Sequence, residues 1–177
     1  MHARTSLPGL AIASVLVLAG CGSSDQADGT VTSPSRTAAE TVVVTDPWVK
    51  AADGDMSAAF GQIENTGEEA VTIVSVAAPV STALELHETV ENETGEMEMR
   101  EKDGGFTIPA GGVLGLEPGA NHIMMLDLSL PVVAGDEVTF TLTFSDDSTL
   151  DFTAPAKDYA GANENYAGDD EMDMGAS

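Results

Sequence analysis

The segment Val138 to Phe144 constrains the chain more than any other: Val138, Phe140, Leu142 and Phe144 alternate with Thr139, Thr141 and Thr143. Apolar side chains at a period of two occupy one face of a β-strand, with the threonines on the other. Thr72-Ile73-Val74-Ser75-Val76, Leu84-Glu85-Leu86-His87, Val113-Leu114-Gly115-Leu116 and Leu150-Asp151-Phe152 have the same character. Turn-forming residues separate them, at Asn65-Thr66-Gly67, Glu93-Thr94-Gly95, Asp103-Gly104-Gly105, Pro109-Ala110-Gly111-Gly112, Pro118-Gly119, Ala134-Gly135-Asp136 and Ser145-Asp146-Asp147-Ser148. No window of ten or more residues shows a convincing helical period. Short strands at this spacing predict an all-β domain, an antiparallel sandwich or barrel, over residues 41–156.

The ends of the chain read differently. His2 and Arg4 precede an apolar run, Leu10 to Leu18, that closes in Leu18-Ala19-Gly20-Cys21. A cationic start, a short apolar stretch and small residues at the cut describe an export signal over residues 1–20. The ending resembles a bacterial lipobox, which implies that Cys21 is lipidated and holds the protein at the outer face of a cell membrane. Residues 21–40 are small, polar and aperiodic, as in a flexible tether. Residues 157–177 read as a disordered acidic tail.

Charge narrows the partners. Thirty acidic against six basic side chains give a formal charge of −24, which argues against nucleic acid, since that needs clustered Lys and Arg. The single Cys excludes an internal disulfide and a thiolate cluster. With few histidines, no free thiol, no Gly-rich phosphate loop and no Ser-centred elbow, an enzyme is not expected. A monomer is.

The remaining chemistry lies in soft ligands. His122 and Met124 stand two apart and share a strand face; Met97 and Met99 do the same, and His87 ends another strand. Thioethers bind hard cations poorly and suit Cu(I), and imidazole accepts copper as well. Such a set, with no carboxylate among the donors, favours monovalent copper over zinc, calcium or magnesium. Each methionine taken singly is more simply a filler of β-sandwich gaps; it is the shared faces that favour a metal. Met125 points away from Met124 and reads as core, and Met56 as surface or packing. Met172 and Met174 repeat the spacing amid acids in the tail, where a solvated terminus is the simpler reading and an auxiliary copper-scavenging arm the bolder one.

Asp46-Pro47-Trp48-Val49 and Ala58-Ala59-Phe60-Gly61-Gln62-Ile63-Glu64-Asn65-Thr66-Gly67 resemble the opening of the PCuAC family of periplasmic copper chaperones. The likeness continues in order through Glu85-Leu86-His87-Glu88, Met97-Glu98-Met99-Arg100, Ile108-Pro109-Ala110-Gly111-Gly112, Leu116-Glu117-Pro118-Gly119, His122-Ile123-Met124, Leu130-Pro131 and Gly135-Asp136. The resemblance implies a cupredoxin-like Greek-key fold. It implies Cu(I) held by His87, Met99, His122 and Met124, with Met97 the alternative third ligand. It also implies copper delivery toward the binuclear copper centre of cytochrome c oxidase, so that the partners would be an oxidase subunit or its assembly factors. One departure stands out: eleven residues separate His87 from Met99, one more than is usual in that family, and the extra residue is assigned to the loop 91–96. The expected site is partly exposed, so that copper can be exchanged. Copper sequestration or resistance, and a metal-free structural surface lipoprotein, are the rival functions.

Overall fold

The computed structural model describes residues 36–160; Cys21, the export signal, most of the tether and Met172 and Met174 lie outside them. One helical turn, α1 (Ala38–Thr41), precedes ten strands: β1 (Val42–Lys50), β2 (Ser57–Asn65), β3 (Val71–Ala77), β4 (Ser81–Glu91), β5 (Met97–Glu101), β6 (Phe106–Ile108), β7 (Val113–Leu116), β8 (His122–Leu128), β9 (Glu137–Phe144) and β10 (Thr149–Lys157). Among the described residues no helix is long and apolar enough to cross a membrane.

The strands run in the order β5-β4-β8-β2-β1-β10-β9-β3-β6, with β7 also paired to β2. Every pairing is antiparallel except β1 with β10, where Val49 and Lys50 meet Ala156 and Lys157 in parallel. The first and last strands of the domain thereby join its two halves. The inward faces of both halves fill one core, with Leu86, Ile123 and Met125 from one side and Ile73, Phe140, Leu142, Phe144 and Ala154 from the other. In β9 the alternation is as read: Val138, Phe140, Leu142 and Phe144 are buried, and the threonines between them are not.

The two strands that carry the domain's first residues are irregular where they pair. In β1 the register against β2 shifts between Thr45 and Trp48, across Pro47, which has no N–H to give to the ladder. Gly61 of β2 faces that irregularity with φ 147°, and a Cβ there would lie 3.0 Å from the Pro47 Cα. The bulge and the glycine are therefore one device: the main chains approach so closely that only glycine fits.

The ends of the domain extend beyond residues 41–156. The residues 38–40 assigned to the tether form most of α1, whose Ala38 and Ala39 pack on the core. The Ala38 N–H donates to the Asp146 carboxylate (2.8 Å) and the Ala39 N–H to the Ser148 hydroxyl (3.1 Å). Small polar-looking residues conceal such docking, because the partners are main-chain N–H groups. At the other end β10 runs through Lys157, and Tyr159 packs its ring 5.3 Å from that of Trp48.

Candidate metal centre

β4 lies between β5 and β8, and its register with each decides which side chains meet. Against β8, His87 is directly opposite His122 and Glu85 is opposite Met124. Against β5, Thr89 is opposite Met99 and Glu91 opposite Met97. Residues opposite one another in an antiparallel pair share a face, as do residues two apart. His87, His122, Met124, Met99 and Glu85 therefore occupy one face of the sheet. It is the face turned away from the core, since Leu86, Ile123 and Met125, the alternate residues, all belong to the core cluster.

The four expected donors are brought together in this sense. The imidazoles of His87 and His122 meet edge to face, 5.4 Å between ring centroids. Met124 is two residues from His122, and Met99 is the diagonal neighbour of His87; diagonal partners stand about 7–8 Å apart, within reach of long side chains. The expectation of a partly exposed site is corrected by their burial: His87 is 0% exposed, His122 2%, Met99 6% and Met124 7%. Met97 shares the face but lies at the end of the hairpin and is 56% exposed. Met125 is wholly buried in the core and Met56 is exposed.

The Glu91–Met97 pair closes the β4–β5 hairpin, whose connection is 92–96. There the Asn92 side-chain oxygen accepts from the Thr94 and Glu96 N–H groups, at 3.0 and 2.9 Å. The turn is closed by its own side chain, and Met99 stands opposite Thr89 of β4.

Both imidazoles are oriented by a second partner. His122 Nδ1 lies 2.9 Å from the Ala120 carbonyl, and His87 Nε2 lies 2.7 Å from Glu85 Oε2. The Ala120 carbonyl also accepts from the Thr89 hydroxyl at 3.1 Å, which ties the chain just before β8 to β4. Burial pushes the His122 pKa below the usual imidazole value, the Ala120 bond opposes this in part, and nearby His87 lowers it further. A neutral imidazole with one nitrogen donating to a fixed acceptor presents its other nitrogen as a lone pair, which is the form that binds metals. Among the described residues no group of three His, Cys, Asp or Glu side chains is arranged to hold a metal ion.

Aromatic side chains wall the cluster on the β2 side. Phe60 lies 6.3 Å from the His122 ring, and Trp48, its partner across β1 and β2, lies 4.5 Å from Phe60. Lys157 Nζ is 5.8 Å from the Trp48 ring. Glu85 escaped the sequence reading, which considered carboxylates only as metal donors and not as partners of a ligand. The signal was present, since Glu85 and His87 are two apart on one strand.

A β-sandwich bearing a buried His/Met cluster on an outer sheet face matches known proteins. The domain has the fold of PCuAC domains: with the apo PCuAC domain from PmoF1 it gives a TM-score of 0.57 at 21% identity, over 67% of this chain and 95% of that one. The solution structure of CuI-DR1885 from Deinococcus radiodurans is matched with a TM-score of 0.51 at 28% identity, over 67% of this chain and 80% of that one. In sequence, the "Putative lipoprotein Lxx21020" of Leifsonia xyli subsp. xyli is 46% identical over 130 residues, 73% of this chain and 78% of that protein. Residues 42–156 match the family described as "Putative lipoprotein LpqE-like". The chain belongs to this LpqE-like family.

Proposed function

We propose that this protein is an extracytoplasmic Cu(I) chaperone, with His87, Met99, His122 and Met124 as the copper ligands. One observation carries the reading: two buried histidines are paired across β4 and β8, each with one nitrogen already engaged, beside two buried thioethers on the same face. Two imidazoles and two thioethers form a soft, uncharged donor set that matches a univalent ion, and the absence of a free thiolate ligand separates it from blue-copper electron carriers. The solution structure of CuI-DR1885, similar in fold at 28% identity, lends support.

The function is binding and exchange rather than catalysis. Copper passes on by stepwise ligand substitution when a thiolate-bearing acceptor docks, the acceptor being the binuclear copper centre of cytochrome c oxidase or a factor that assembles it. Lipid on Cys21 holds the chaperone at the outer face of the membrane, in keeping with the lipoprotein description of the Leifsonia relative. The burial of all four donors also favours a second reading, sequestration, because a buried site retains its ion well; a deletion strain with normal oxidase activity and raised copper sensitivity would select it.

The test is Cu(I) and Cu(II) titration of the purified Cys21→Ser chain beside its H122A and M99L variants. One tight Cu(I) equivalent, weakened in both variants, is expected. Equal binding by all three removes the ligand assignment, and no binding by the first removes the copper reading.

A further inference from the structure

The two histidines are held by unlike partners and through unlike nitrogens. His122 gives Nδ1–H to a main-chain carbonyl, so its basic nitrogen is Nε2. His87 gives Nε2–H to the Glu85 carboxylate, so its basic nitrogen is Nδ1. Glu85 is directly opposite Met124 and two residues before His87, which places it on the same sheet face as the cluster. It is also the component with access to solvent: its side chain is 28% exposed, against 0% for His87.

We infer that Glu85 is a positioning residue for His87, locking the imidazole in the Nε2–H tautomer and aiming Nδ1 at the cluster. A neutral imidazole without such a partner populates both tautomers and turns about its side-chain bonds; a carboxylate acceptor at 2.7 Å selects one tautomer and one ring orientation. In an uncharged His/Met set, Glu85 supplies an anionic group in hydrogen-bonding contact with a ligand, and it offsets the charge of a univalent cation in a buried place. Its effect on copper rests on the proposed Cu(I) function; its effect on the tautomer rests on geometry alone.

The experiment separates the two. Long-range ¹⁵N–¹H spectra of the copper-free Cys21→Ser chain should show His87 protonated on Nε2 and His122 on Nδ1. In E85A, His87 should shift toward the Nδ1–H form while His122 is unchanged. In E85Q, whose amide oxygen still accepts the hydrogen bond, the Nε2–H form should persist. Cu(I) affinity, measured against a competing chelator, should fall about 10–100-fold in E85A and less in E85Q, with thermal unfolding of both close to the parent. An Nδ1–H tautomer at His87 in the parent overturns the inference whether or not E85A folds, and so does E85A with unaltered His87 shifts or unaltered affinity. If the parent takes up no Cu(I), the copper reading falls, and the imidazole spectra still decide the lock.

Discussion

The strands β4 and β8 have two faces of similar burial and opposite chemistry. On the inner face, Leu86, Ile123 and Met125 contribute to the hydrophobic core. On the outer face, one residue away in each case, His87, His122 and Met124 are nearly as buried but carry lone pairs. The inner side chains act by excluding water, an effect that scales with area and tolerates exchange among shapes of like volume. The outer ones act by direction, through ring nitrogens and sulfurs set by register and by hydrogen bonds. Burial alone therefore does not tell core from site; the distinction comes from what the buried atoms are able to bind.

Substitutions on neighbouring residues should break that pairing of faces in opposite ways. Met125→Ala empties a wholly buried core position and should cost about 2–5 kcal/mol of stability in denaturant unfolding. Copper stoichiometry should survive where the domain remains folded. His122→Ala should do the reverse, with a modest loss of stability and a fall in Cu(I) affinity larger than the roughly 10–100-fold that removing an outer partner costs. Met97→Leu, on the outer face but at the exposed end of the hairpin, should leave affinity within about threefold of the parent, a change of less than about 1 kcal/mol. A larger fall would make Met97 the third ligand in place of Met99.

Acid should sharpen the comparison further. Burial lowers the His122 pKa first, His87 adds to this and the Ala120 bond opposes it. Below the ordinary imidazole value near 6.5 the unfolded chain binds a proton that the folded imidazole refuses. The stability of the copper-free protein should therefore decline as pH falls through the window from that value down to the depressed one, and His122→Gln should remove this part of the slope. Unfolding midpoints measured from pH 7 to 5 on both proteins provide the check. The smallest effect belongs to Glu88, whose carboxylate is held below its usual range first by Lys102 and then by Arg100. Its contribution is present above the ordinary carboxylate value and is lost as pH falls through the lowered one. Both cations are substantially exposed, so Glu88→Gln should cost no more than about 1 kcal/mol near neutral pH.

Several features were legible without coordinates because they obey a strict alternation. β9 follows from apolar residues at every second position, and the same rule places Met124 with His122, Met99 with Met97 and Met125 with the core. β1 and β2 were not singled out as strands, because Pro47 and Gly61 interrupt their patterns; only when the two main chains are seen in contact does the interruption explain itself. The docking of α1 was hidden for a related reason, as its hydrogen bonds come from the backbone, which no residue type announces.

The amino-acid sequence by itself settled the β character of the domain, the excess of acid on its surface, and which side chains share a face within each strand. These are local properties, dictated by the two-residue period of an extended chain and by the chemistry of each side chain. The tertiary structure alone decided that His87 stands opposite His122, that Met99 comes beside them across β4 and that Glu85 holds one imidazole. Register between strands distant in the chain is set by packing of the whole sheet, and a slip of one residue would have turned each donor to the other face.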